Sequence, residues 1–331
     1  MKINTIRCTC SRSAAVALFG LLAVFTADAR AVTIAWSPVG NPGNAADPAT
    51  GSLYGAVGYS YNIGTYDVTN SQYVEFLNTK DATGTSPLQL YSSRMSSAPF
   101  GGINYNVGNA NGNKYSVISG DGNHPVNYVT WFDTVRFANW LNNGQGSGDT
   151  ESGAYILQGG TPTPSNANSI ARQGGATVVL PSENEWYKAA YNIPGTNSYF
   201  QYPTSSNAVP TASVPTGAIN SANYNHPVGN LTDVGAYSGT TSPYGAFDMG
   251  GNVFQWNEAL ISGSSRGLRG GSFDDNSLTL LSSFRVVVNP SGENYYIGFR
   301  VAMVPEPSSL ALAGLGFAAL AALGWRRQRG A

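Results

Sequence analysis

The side chains in this sequence whose chemistry stands out are two histidines, His124 and His226, an adjacent carboxylate pair, Asp274-Asp275, and the nearby hydroxyl of Ser272. An imidazole works as an acid–base group or a metal ligand when a carboxylate, nucleophile or second ligand stands at a fixed spacing. Neither histidine belongs to a His-x-x-x-His or similar cluster, so a structural hydrogen-bonding role is expected of each. Asp274 and Asp275 point to opposite faces on a strand and come together only in a turn, so adjacency alone does not define an acid and a base. Ser272, His226 and Asp248 can be written as a triad, but no Gly-x-Ser-x-Gly elbow selects them.

The thiols are Cys8 and Cys10, and both precede Ala14. Lys2, Arg7 and Arg12 lead into the apolar run Ala14 to Phe25, and Ala29-Arg30-Ala31 has the small-x-small pattern read by signal peptidase. A signal peptide over residues 1–31 is expected, with a mature chain from Val32 that has no cysteine. Disulfides, thiolate catalysis and Cys-ligated zinc are thereby excluded. At the other end Leu310 to Trp325 is sixteen residues without charge, followed by Arg326, Arg327 and Arg329, the order of a membrane segment with a positive-inside stop. At 1.5 Å per residue it spans about 24 Å, short of the roughly 30 Å hydrocarbon core. It reads as a short anchor in preference to a buried terminal helix.

Between these tails, residues 32–304 are one domain's worth of chain. Of the 331 residues 11 % are charged, but 42 % are hydrophobic and 11 % aromatic, which excludes a fully disordered chain. Gly 40 and Pro 18 without a Gly-X-Y period point to a loop-rich fold and not to collagen or a coiled coil. The net charge of -1 supplies no basic field for nucleic acid. Residues 32–304 alone carry three Lys and seven Arg against ten Asp and six Glu, a net -6, so a mildly acidic domain lies between basic tails.

Three short helices are expected from their caps. Thr69 with Gln72 precedes Tyr73, Phe76 and Leu77; Thr130 with Asp133 precedes Val135, Ala138 and Leu141 on the face begun by Trp131; and Ser182 with Glu185 precedes Trp186, Ala189 and Ala190. Alternation of Val57, Tyr59, Tyr61 and Ile63 predicts a strand region over 56–67. Residues 92–121 read as an irregular excursion with short strand pieces at Tyr105, Val107, Tyr115 and Val117, and 144–175 as a polar insertion in which Ala154 to Leu157 hints at a strand.

Val304-Pro305-Glu306-Pro307, the apolar stretch and the terminal arginines resemble the PEP-CTERM sorting signal of Gram-negative bacteria. The resemblance implies export, processing by signal peptidase and an exosortase over residues 305–331, and at least transient anchoring in the cell envelope. A second resemblance is spread along the chain. Tyr66-Asp67-Val68-Thr69-Asn70-Ser71-Gln72-Tyr73, His124-Pro125-Val126 leading to Trp131, Leu180-Pro181-Ser182-Glu183-Asn184-Glu185-Trp186, Tyr244-Gly245 through Trp256, Arg269-Gly270-Gly271-Ser272-Phe273 and Gly298-Phe299-Arg300 together resemble the formylglycine-generating enzyme, or sulfatase-modifying factor, family. That family implies an α+β, elaborated C-type lectin fold, loop-rich, with short helices and a twisted antiparallel sheet.

The departures from the family pattern bear on function. Aerobic formylglycine-generating members carry a copper-binding cysteine pair soon after the Arg-Gly-Gly-Ser segment. The matching stretch here, Phe273 to Ser283, has no thiol, so neither copper nor formylglycine generation is expected and no catalytic residue is assigned. The resemblance further implies structural calcium held by Asp248, Gly251, Val253 and Gln255, with Gln255 standing where an acidic residue is usual. On such a scaffold an exposed cleft formed by Trp256, Arg269, Asp274, Asp275 and Asn276 would offer an aromatic platform, a cation and acceptors to an exopolysaccharide or an envelope protein, while Trp256 also reads as a core residue and Arg269 as a partner of internal carbonyls or carboxylates. The reading is a noncatalytic cell-envelope or matrix protein binding carbohydrate or peptide. An enzyme of unrecognised chemistry and a purely structural surface protein are its alternatives.

Overall fold

The computed structural model describes Met1 and residues 31–85 and 87–306. Both expected processing segments, the leader before Ala31 and the apolar run 310–325, lie outside the described residues. Among those described, no helix is long and apolar enough to cross a membrane.

The strands and helices run β1 (Trp36–Val39), β2 (Tyr61–Gly64), α1 (Asn70–Lys80), β3 (Ile103–Tyr105), β4 (Tyr115–Val117), α2 (Trp131–Asn142), β5 (Val178–Val179), α3 (Glu183–Tyr191), β6 (Thr211–Ala212), β7 (Ser221–Ala222), β8 (Phe254–Ser262), β9 (Ser265–Arg269), β10 (Val286–Val288), β11 (Ile297–Phe299) and β12 (Ala302–Met303). Two four-stranded sheets, ordered β1-β2-β12-β5 and β10-β9-β8-β11, carry the fold, with two-stranded pieces β3-β4 and β6-β7 beside them. The first sheet is antiparallel throughout; in the second, β11 pairs with β8 in parallel. The sheets are joined by Arg300 and Val301, which separate β11 from β12, so the Arg300 side chain is set between them.

The helices at Thr69 and Ser182 begin with the capping box read from the sequence, and the one at Thr130, where a cap and a favourable first-turn Asp133 are expected, closes a capping box as well. Thr69 accepts from the Gln72 amide, Thr130 from Asp133 and Ser182 from Glu185, with each third residue returning a bond to its cap. The α1 and α2 faces meet β11 in an aromatic cluster: Phe76 and Phe137 lie 5.3 Å apart edge-on, Phe76 and Trp140 5.4 Å, and Phe137 and Phe299 5.4 Å. Such pairs add about 0.5–1.5 kcal/mol each beyond their area. Helix α2 is buried nearly all round because the 144–175 insertion covers its outer side. There Arg136 pairs with Glu151 at 2.6 Å and donates to the carbonyls of Thr161 and Pro162.

Two strand expectations shrink. Only 61–64 of the 56–67 region pairs, because β1 supplies four partners, and Tyr59 stays exposed. Ala154 to Leu157 forms no strand beyond an isolated bridge between Tyr155 and Arg172. The Asn139 side chain takes the Tyr155 amide at 2.7 Å and its carbonyl at 3.0 Å, occupying groups a ladder would need. In the 92–121 excursion Tyr105, Tyr115 and Val117 do pair, while Val107 is exposed outside the strands.

Candidate functional site

The Arg-Gly-Gly-Ser segment closes β9 and turns into a short 3-10 helix, Ser277–Leu280. Gly270 and Gly271 have φ of +99° and +71°, and a Cβ on Gly271 would collide with Thr279 Oγ1, so the turn is built for glycine. The turn separates the two adjacent carboxylates. Asp275 accepts from Ser272 Oγ. Asp274 accepts from the Tyr295 hydroxyl and has His226 Nε2 2.9 Å away on its other oxygen. Asn276 is exposed and caps the 3-10 helix, its side chain accepting from the Leu278 amide at 2.9 Å. Burial, with the neighbouring Asp274 charge helping, raises the Asp275 carboxyl above its ordinary range.

Two residues of the expected platform are interior, which corrects their reading as exposed contacts. Trp256 is 0 % exposed, with Nε1 donating to the Val129 carbonyl at 3.1 Å. Its place in β8 between β9 and β11 turns the indole into the core. Arg269 is likewise buried: Nη2 and Nε reach Glu183 at 2.7 and 2.9 Å, and Nη1 donates to the carbonyls of Ser282 and Phe284. It fixes α3 to the turn and presents no cation to solvent. The written triad also dissolves, since Ser272 meets Asp275, His226 meets Asp274, and Asp248 accepts from the Gly235 amide at 2.6 Å.

Around the four positions expected to hold calcium, internal donors occupy key oxygens. Gln255 Oε1 accepts from Trp186 Nε1 at 2.6 Å and Arg300 Nε at 2.7 Å, using both lone pairs, while its Nε2 donates to the Asp248 carbonyl at 2.8 Å. Arg300 therefore brings a guanidinium to the place where a cation would bind. The resemblance takes backbone carbonyls from Gly251 and Val253 and a carboxylate oxygen from Asp248, one of whose oxygens accepts from the Gly235 amide; Gln255 Oε1, with both lone pairs used, is the member of the set that does not fit a cation as arranged. The described residues contain no cluster of three or more His, Cys, Asp or Glu that could hold a metal.

Beside Asp275 opens a cavity of about 270 Å³ that the sequence did not disclose. Phe254, Leu268, Phe284, Val286, Val288 and Ile297 wall it, and the acidic residues Asp275 and Glu293 are among its lining. Through Gly292 and Glu293 it adjoins a more polar cleft of about 520 Å³, lined by Gln89, Arg94, Thr130, Asp133, Thr163 and Ser291. Burial raises the Asp133 carboxyl to about 6. Glu293 accepts from Ser92 Oγ at 2.8 Å, and no local signal in Gly292-Glu293-Asn294 announces its position; only the long-range fold brings it into the same cavity lining as Asp275.

Short capped helices, two small sheets locked by a buried arginine, and a loop-built cleft after the Arg-Gly-Gly-Ser turn define a lectin-like α+β scaffold. The chain belongs to the sulfatase-modifying factor enzyme 1-like domain family, which matches residues 55–304. Residues 304–328 match the PEP-CTERM protein-sorting motif. No curated protein matches the chain. Among solved structures it is similar to Treponema denticola variable protein 1, at 21 % identity over 84 % of this chain and 97 % of that one, with a TM-score of 0.53. It is also similar to CarF, at 22 % identity over 82 % and 99 % of the two chains, with a TM-score of 0.53. The fold is thus the elaborated C-type lectin fold of formylglycine-generating enzymes, and the sorting motif implies export and membrane-associated sorting in a Gram-negative bacterium.

Proposed function

We propose that this is a noncatalytic cell-envelope or extracellular-matrix protein that binds an envelope peptide presenting a basic side chain in the cleft at Asp275 and Glu293. The observation that carries this reading is the 270 Å³ cavity, whose largely apolar lining includes the acidic residues Asp275 and Glu293. A lysine or arginine has the matching form, an apolar stem with a cationic head. Support for a noncatalytic role comes from the missing cysteine pair and from the separate partners of Asp274 and Asp275. Carbohydrate is the second reading, favoured by the amide, hydroxyl and guanidinium groups of the adjoining 520 Å³ cleft. Peptide and glycan arrays probed with the purified protein discriminate the two. Saturable binding to basic peptides is expected; binding confined to glycans would select the second reading, and no saturable binding to either would leave the structural role.

A further inference from the structure

The two ends of the described domain leave from one place. The Val32 amide donates to Gln145 Oε1 at 2.6 Å, and Gln145 Nε2 returns a bond to the Val32 carbonyl at 2.9 Å. The Val304 amide donates to the Thr177 carbonyl at 2.8 Å, and the Thr177 amide donates to Asn142 Oδ1 at 2.9 Å. Both anchor points, Asn142 and Gln145, are at the C-terminal end of α2. The cleft lies at the other end of the same helix: Thr130, Phe132 and Asp133 line it at the α2 N-terminus, and the Trp131 amide donates to Pro290 beside Ser291 and Gly292. A twelve-residue helix separates the two places by about 18 Å.

We infer that the α2 C-terminal end is the surface this protein turns toward the lipid bilayer, so that the cleft faces away from the membrane. Five residues, Pro305 to Ser309, separate the last strand-side residue Val304 from the apolar run. Fully extended they reach about 17 Å. The cleft end of α2 lies about 18 Å from the chain exit, just beyond that reach, so the tether holds the exit end closer to the lipid than the cleft. The end facing the membrane also suits the neighbourhood of anionic headgroups better than the net acidic domain does on average. Its loop 143–148 has no charged residue, and Lys80, held there by the carbonyls of Ser147 and Gly148, offsets the exposed Asp149 that follows, so this end is close to neutral. This inference rests on the sorting motif and is independent of what the cleft binds.

The absence of cysteine from residues 32–304 makes single-label experiments clean. In the chain from Val32 to Ala331, one fluorophore is placed at Ser147→Cys or at Ser291→Cys, both exposed serines at opposite ends of α2. The chains are reconstituted into vesicles of phosphatidylethanolamine and phosphatidylglycerol that carry a headgroup nitroxide quencher. Quenching at least threefold stronger at position 147 than at 291 is expected, and inserting twenty Gly/Ser residues between Val304 and Pro305 is expected to erase the difference. Equal quenching, stronger quenching at 291, persistence of the difference with the long tether, or failure of this chain to float with the vesicles would each overturn the inference. Peptide binding to the same vesicles reads the cleft separately and leaves this result unaffected.

Discussion

Replacing Asp67 by Asn is expected to flatten the dependence of stability on pH. Asp67 is fully buried, with one oxygen 3.0 Å from Arg300 Nη2 and Oδ2 without a partner. Burial is the main cause raising its carboxyl to about 7; Asp248 adds to the rise and Arg300 opposes it. In the unfolded chain an aspartate titrates near 3.9. Between these values the native state holds a proton that the unfolded state has lost, so stability must fall as pH rises, being fully present below about pH 4 and lost through about pH 7. Three units correspond to about 4 kcal/mol, of which roughly 3 kcal/mol falls between pH 5 and pH 8. Asn has no proton to lose, so Asp67→Asn should remove that part of the slope. Asp248 and Asp133, each raised to about 6 chiefly by burial, leave a smaller slope of the same sign. Urea unfolding followed by tryptophan fluorescence at pH 5, 6.5 and 8 measures it. Equal slopes for the parent and Asp67→Asn, or a parent whose stability rises from pH 5 to pH 8, would refute the reasoning.

Trp256→Phe should lower stability by about 1–3 kcal/mol, through the lost bond to the Val129 carbonyl and the space left in the core, with ligand affinity per folded molecule unchanged. Lost binding at full stability would instead place Trp256 in contact with the ligand. Arg269→Ala should cost about 3–5 kcal/mol, because Glu183 stays in the interior with only Arg285 at 3.0 Å, and urea midpoints report it; a change below about 1 kcal/mol would contradict the pairing. Calcium added to the chelator-treated protein should leave its thermal midpoint where it was, since Trp186 and Arg300 already fill Gln255 Oε1. A saturable rise that Asp248→Asn removes would establish the metal site.

The helices were legible in the sequence because a capping box is made between residues three apart, and Thr69, Thr130 and Ser182 each make it locally. Interactions that close over long separations were not legible. Arg172 bridges Glu185 and Glu258 at 2.8 Å each, although Glu258 is 86 residues away, and the Tyr155 and Tyr59 hydroxyls complete that network. Burial works to raise Glu185, but its bonds and charge contact with Arg172 hold its carboxyl below the ordinary range. Trp256 misled for a related reason: residue type marks an aromatic for either a core or a platform, and only the pairing of β8 on both sides decides. The cleft itself depends on Glu293 and Asp275 reaching one cavity lining, which no periodicity encodes.

The central claim is binding of a basic side chain between Asp275 and Glu293, and its most direct measurement is a calorimetric titration of an array-selected lysine- or arginine-containing peptide. The parent is compared with the Asp275→Asn, Glu293→Gln double variant, in which the amide introduced at position 275 keeps an acceptor for the Ser272 hydroxyl. Removing one side of a desolvated charge contact typically costs about 2 kcal/mol or more, so affinity should fall by about thirtyfold or more with the thermal midpoint preserved. An affinity unchanged in the folded double variant would contradict the assignment of the cleft.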